Sequence, residues 1–318
     1  MNKPPKLTDS QKRRLKHLES ALRDAVEIGK LQRAELLTHE IQEMLRPTGH
    51  EARLMQAKNW LFEAAMEAGN IGYAISGFEG VRKKVSHATR LYLEATALLA
   101  ICYLRKGDIK KAQPLIDEAL SSLKNIRTDN QRRNFRVSIV KRFEEEGMLA
   151  ALREIGAQPL NIDEIYLDAS AVAEKKTKEE IIILLGESTP PSVVHFLERV
   201  SMISKKQLSY KEVLFLPSHQ IDQKPLKLGQ RVFSSLKHVV WKSLCDPESS
   251  VYKLWFTSGM TVVFDKKYLT TAIATTLAGY KVGAYGMVVY FGALVLKMGL
   301  EVFCDVYKPK PLMGSREK

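Results

Sequence analysis

Few side chains in the sequence have the types and spacing needed for chemistry. Glu179 and Glu180 form an acidic pair, but they follow Thr177 in the pattern that begins a helix, where acidic side chains stabilise the first turn. His195 stands beside an apolar stripe, which is the usual position of a packed or surface histidine. The sequence contains no glycine-rich phosphate loop and no nucleophile elbow. We therefore predict that the protein is not an enzyme, with no catalytic residue, no cofactor and no small-molecule substrate.

The three cysteines are the next candidates, for a disulfide or for a metal site. Cys102, Cys245 and Cys304 lie far apart in the sequence and lack the close pairing that is typical of zinc ligands. We predict that all three are small buried apolar side chains, without a disulfide framework and without a bound metal.

The net charge of +13 favours a different kind of chemistry, the binding of anions. The cations are concentrated near the turns between helices, and together they predict a basic edge. Its candidate residues are Arg46, Arg53, Arg82, Lys83, Lys84, Arg90, Lys124, Arg127, Arg132 and Arg133. Such an edge could bind nucleic acid, an anionic membrane or an acidic protein segment. The same pattern is also typical of a solvated surface, because basic side chains stabilise helix C-termini.

Four glycines divide the first half of the chain at nearly constant intervals. Gly29, Gly69, Gly107 and Gly147 are 40, 38 and 40 residues apart. A period of this size is typical of stacked helical hairpins, and apolar residues recur at helical spacing on both sides of Gly107. We therefore predict a mainly α fold in which residues 1–157 form an α-solenoid. Each glycine is expected to mark the turn between two helices.

The repeat around Gly107 resembles a tetratricopeptide repeat. The positions that match the family are Leu99, Ala100, Tyr103, Gly107, Asp108, Ala112, Ala119 and Leu120. The preceding repeat keeps Leu61, Gly69, Asn70, Ala74 and Phe78. The resemblance implies that the first helices of successive repeats line a concave groove, and that the groove binds a protein or peptide partner.

The resemblance also implies which side chains line this groove. They are Gln56, Asn59 and Glu63 in one repeat, Glu94, Ala97 and Ile101 in the next, and Asn134 and Lys141 in the last. Their mixture of amides, charges and apolar groups suits an extended peptide or a helix. Two alternatives stay open: a solvent-exposed face without a ligand, and a face covered by the C-terminal half of the chain itself.

A second region begins after residue 157, where the glycine spacing ends. Helical patterns continue in residues 163–174, 177–185, 191–200 and 232–244. Pro217 and Pro225 predict an irregular segment over residues 208–230, and residues 260–264 have the character of a short strand. We predict a mainly helical domain over residues 158–318, which ends in a disordered basic tail at 308–318.

The most apolar part of this region covers residues 268–296, in which Lys281 is the only charged side chain. A membrane-spanning helix needs about 20 apolar residues, and Lys281 divides the stretch into two shorter pieces. We therefore favour an apolar helical hairpin, buried in the protein, within the segment 268–304. Insertion of this segment into a membrane is the alternative.

These patterns lead to one main hypothesis of function and two alternatives. In the main hypothesis the protein is a non-enzymatic interaction protein: the repeats bind a protein or peptide, and the C-terminal region is an anchor or an output. In the alternatives, the protein is a membrane effector that inserts residues 268–304, or it binds nucleic acid through the basic edge. Because the first residues lack the apolar stretch of a secretory signal, we expect a cytoplasmic protein, and association with a membrane stays open.

Overall fold

The computed structural model describes residues 4–27, 30–155, 160–206, 225–247, 249–253, 266–307 and 312. All regular elements in these residues are helices, which confirms a mainly α fold. The chain divides into two compact units: unit 1 comprises residues 1–143 and 310–318, and unit 2 comprises residues 144–309. The boundary predicted at residue 157 lies outside the described residues.

Unit 1 is built from consecutive helices. They are α1 (Asp9–Glu27), α2 (Leu31–Leu45), α3 (Glu51–Glu67), α4 (Ile71–Lys84), α5 (Arg90–Arg105) and α6 (Ile109–Ser121), followed by the first part of α7 (Asp129–Ile155). From α1 to α6 each helix packs against the next one, and α3 also packs against α1 and α5. Helix α3 is therefore in contact with α1, α2, α4 and α5.

Two glycines of the evenly spaced series end helices, as the sequence predicts. Gly69 follows α3 with a φ of +83°, and Gly107 follows α5 with a φ of +79°. Glycine adopts this backbone conformation without the steric penalty of a side chain. The next residues, Asn70 and Asp108, cap α4 and α6 with their side chains. A glycine followed by a capping residue therefore reverses the chain within a few residues.

Gly147 does not end a helix, which corrects the prediction of a turn at this position. It lies inside α7, which continues from Asp129 to Ile155. A Cβ atom added at Gly147 would lie 1.9 Å from a ring carbon of Phe196, so the glycine allows Phe196 to pack closely against α7. Gly29, the first glycine of the series, lies outside the described residues.

Unit 2 contains the rest of α7 and seven further helices in the described residues. They are α8 (Ile162–Lys175), α9 (Lys178–Glu187), α10 (Pro191–Lys206), α11 (Pro225–Leu244), α12 (Lys266–Gly279), α13 (Tyr285–Met298) and α14 (Leu300–Val306). The predicted irregular segment is wrong from residue 225 onward, because Pro225 begins α11. A proline at the first helical position removes no hydrogen bond, because the main-chain N–H at this position has no partner within the helix. Residues 208–224 and the strand-like residues 260–264 lie outside the described residues.

The apolar segment 268–304 contributes most of α12, all of α13 and part of α14. Helix α13 packs against α8, α9, α12 and α14, and most of its side chains are buried. A helix that is apolar on all sides is typical of a protein core. Within the described ranges, no single helix has the length and apolar character of a membrane span, and α13 reaches them only together with α14, across a bend of 95°.

Cys245 and Cys304 form a disulfide, so the prediction of separate buried thiols is wrong for these two residues. Their Cα atoms are 5.4 Å apart, because α14 lies beside the C-terminal end of α11. The indole N–H of Trp241 donates to the carbonyl oxygen of Cys304 at 2.8 Å and holds α14 at this place. Cys102 is buried in α5, as predicted.

Tyr285 at the start of α13 is expected to titrate at unusually high pH. Its hydroxyl donates to Asp168 Oδ2 at 2.7 Å, and burial together with this hydrogen bond raises the pKa of Tyr285 to about 12. The pKa of Tyr285 in the folded protein lies above its ordinary value of 10.0. The contribution of the protonated Tyr285 hydroxyl to stability is therefore complete below pH 10 and is lost as the pH rises through 12. In an absorbance titration we expect Tyr285→Phe to remove an ionisation near pH 12.

Asp168→Asn is the matched control for this titration. It keeps a hydrogen-bond acceptor beside the hydroxyl but removes the negative charge, so the pKa of Tyr285 should fall. An unchanged titration curve in both variants would contradict the assignment.

Candidate functional site

The predicted groove residues lie on α3, α5 and α7, and most of them are fully buried. No exposed surface is left on Asn59, Glu63, Glu94, Ala97 and Ile101. Gln56 and Asn134 are half-buried, and Lys141 is exposed. We call the five buried residues the inner face. Because solvent does not reach the inner face, these five residues do not line an open groove.

The central contact of the inner face joins Glu63 to the C-terminal end of the chain. The main-chain N–H of Leu312 donates to Glu63 Oε1 at 2.6 Å. Leu312 is 5% exposed, so its side chain is also removed from water. Leu312 is therefore held both by its backbone and by burial of its side chain.

This contact also modifies the prediction of a disordered tail at 308–318. Leu312 is buried and hydrogen-bonded, which differs from disorder at this residue. The other ten residues of the predicted tail lie outside the described residues.

Asn59 lies one helical turn before Glu63 and connects α3 to α5. Its Nδ2 donates to the carbonyl oxygen of Leu91 at 3.2 Å. Its Oδ1 is buried, and no hydrogen-bond partner for it exists in the part of the chain that the structure describes. A buried acceptor without a partner is costly. The inner face thus carries an acceptor at Asn59 as well as the carboxylate of Glu63.

The neighbouring carboxylates form ion pairs within unit 1. Glu94 accepts a hydrogen bond from Arg90 Nε at 2.8 Å. Glu67, one turn after Glu63, accepts hydrogen bonds from Arg105 and Arg142. Removing one member of such a buried pair leaves an uncompensated charge. Conservative substitutions are therefore needed to test this face, because charge reversal would disturb the fold.

The predicted basic edge consists of two sets of residues. Arginines of the first set form ion pairs between or within helices: Arg53 with Glu19, Arg82 with Glu118, Arg90 with Glu94, and Arg132 with Asp129. The side chains of the second set are exposed: Arg46, Lys83, Lys84, Lys124, Arg127 and Arg133. The arginines of the first set are therefore ion-paired, and the second set forms the exposed part of the predicted edge.

Lys58 is a half-buried cation near this edge, although the sequence prediction did not include it. Burial and the positive charges of Lys84 and Arg46 lower the pKa of Lys58. Lys84 and Arg46 are therefore close enough to repel the charge of Lys58. The sequence around a single lysine in a helix does not show which side chains of other helices will lie near it.

Leu312 is the site residue that sequence reasoning missed. One signal could have indicated it: Leu312 and Met313 are the two large apolar side chains of a tail that is rich in basic residues and proline. No group of three or more His, Cys, Asp or Glu side chains within the described ranges is placed to hold a metal ion.

No protein-family model, curated protein or solved structure matches this chain.

Proposed function

We propose that this chain is a non-enzymatic interaction protein whose unit 1 binds a segment of a protein partner on the inner face. The observation that carries the proposal is the hydrogen bond from the main-chain N–H of Leu312 to the buried carboxylate of Glu63. Main-chain N–H groups occur in every peptide, so the same carboxylate can accept one from another protein. Burial of an aliphatic side chain would add affinity, as it does for Leu312.

The packing order of unit 1 supports a tetratricopeptide-like solenoid as the framework of this proposal. Each helix from α1 to α6 packs against its neighbour, and α3 packs against both α1 and α5. Packing between nearest neighbours is what stacked helical hairpins require. In this arrangement α3 and α5 present the binding surface. Unit 2, with α12 and α13 as an apolar hairpin, acts as the anchor or output, and the proposed location is the cytoplasm.

A peptide selection tests the proposal directly. A random peptide library is selected on the full-length protein and, in parallel, on its Leu312→Asp variant, whose charged side chain disfavours burial at this position. We expect the recovered peptides to bind about tenfold more weakly when Glu63 is replaced by Gln, because the acceptor loses its charge. Fluorescence anisotropy of labelled peptides measures this change.

Glu43→Gln provides the matched control for this selection. Glu43 lies on α2 with an exposed side chain, so the same chemical change there should leave peptide affinity unchanged. The proposal fails when neither selection recovers a peptide that depends on Glu63. Binding of RNA or of anionic vesicles, without such a peptide, would favour the basic edge as the functional surface instead.

A further inference from the structure

We infer that the C-terminal segment around Leu312 is a built-in competitor for the peptide site. A partner can then occupy the inner face only after Leu312 has left Glu63. The inference rests on the proposed function, since a competitor has a role only where a partner binds. It adds the regulation of the site and the chemical class of the partner.

The first step of the argument is that Leu312 blocks the group that a partner would use. Glu63 has no exposed surface, and its Oε1 already accepts the Leu312 N–H at 2.6 Å. A second main chain cannot approach this carboxylate while the contact persists. The occupied state is therefore a closed state of the site.

The second step is that a tethered segment competes strongly even when its own affinity is weak. Leu312 and Glu63 belong to the same chain and the same compact unit, so their contact forms in an intramolecular step. Intramolecular binding of this kind corresponds to an effective concentration on the order of millimolar. A partner with the same contacts must therefore overcome a reduction in apparent affinity of about 10–100-fold.

The third step concerns the partner, whose chemistry should resemble that of the tail. Pro311 precedes Leu312 and has no N–H, so the N–H of Leu312 is the first main-chain donor after Lys310. The partner is accordingly a peptide in which proline precedes an aliphatic residue.

The experiment adds the tail to the protein as a separate molecule. A fluorescein-labelled peptide of residues 306–318 is titrated against the full-length wild-type protein, Leu312→Asp and Leu312→Ala, with anisotropy as the readout. We expect both variants to bind the peptide about 10–100-fold more tightly than the wild type, because their own tails no longer occupy the site. Adding Glu63→Gln to Leu312→Ala should weaken this binding at least about tenfold.

Two controls separate competition from a general loss of structure. Leu36→Asp introduces the same charge at a side chain of α2 that is 69% exposed, and it should leave peptide affinity at the wild-type level. A peptide with proline in place of Leu312 lacks the donor N–H and should not bind. Circular dichroism checks that each variant keeps the helical content of the wild type.

The possible outcomes distinguish this inference from the proposed function. Equal affinity of the peptide for the wild type and for both Leu312 variants overturns the competitor. When library-selected peptides still depend on Glu63 in that case, the proposed function stands without it. When no peptide depends on Glu63, both proposals fall.

Discussion

Replacing both Cys245 and Cys304 by serine is expected to lower the free energy of unfolding of unit 2 by about 4 kcal/mol. The disulfide joins residues that are 59 positions apart, at the end of α11 and within α14. Removing a cross-link over a loop of this length returns conformational entropy to the unfolded chain. Because Trp241 still donates to the carbonyl of residue 304, the native packing should persist. Denaturant unfolding, followed by tryptophan fluorescence and circular dichroism, measures the loss.

Reduction of the wild-type protein is the control for this double substitution. The reduced wild type should unfold at the same denaturant concentration as the double-serine variant, and the reductant should not affect the variant. Equal stability of the oxidised wild type and the variant would show that the disulfide contributes little. The cytoplasm keeps most thiols reduced, so a thiol count on protein isolated from cells decides whether this stabilisation operates at the proposed location.

The turns of unit 1 could be predicted because their causes are local. At Gly69 and Gly107, the positive φ and the cap at the next residue depend on neighbours in the sequence. Gly147 shows the limit of this reasoning. A glycine serves either a turn or a close approach, and the ring of Phe196, which decides between them here, is 49 positions away, 196 minus 147.

The candidate site could be predicted only in part, because its contact with Leu312 joins residues that are far apart in the sequence. The resemblance to a tetratricopeptide repeat implied that Glu63 belongs to a shared face of α3 and α5, and Glu63 is one of the five buried residues of the inner face. The same resemblance could not place Leu312, which lies 249 residues from Glu63 in the sequence. Leu312 belongs to a tail whose composition predicts disorder. Cys245 and Cys304 are a parallel case, because distance along the chain does not limit proximity in the fold.

Replacing Gly229 by Ala is expected to lower the free energy of unfolding of unit 2 by about 3 kcal/mol. Gly229 lies in α11, which packs against α9. An added Cβ would lie 1.8 Å from the carbonyl oxygen of Ile182. Gly186 on α9 is in the reciprocal position, where a Cβ would lie 2.0 Å from the carbonyl oxygen of Pro225. Because the obstructing atoms belong to the backbone, no change of rotamer relieves the clash, and the two helices must move apart.

Gly80→Ala is the matched control, because it makes the same change within a helix where no atom of the described residues lies within 4 Å of the added Cβ. It should stabilise the protein by about 0.5–1 kcal/mol, since alanine loses less backbone entropy on folding than glycine. The same gain is present at Gly229, so the clash there must exceed it for the variant to be less stable at all. Urea unfolding of Gly229→Ala, Gly186→Ala and Gly80→Ala separates the two effects. Similar midpoints for all three variants would mean that α9 and α11 do not approach as closely as Gly186 and Gly229 permit.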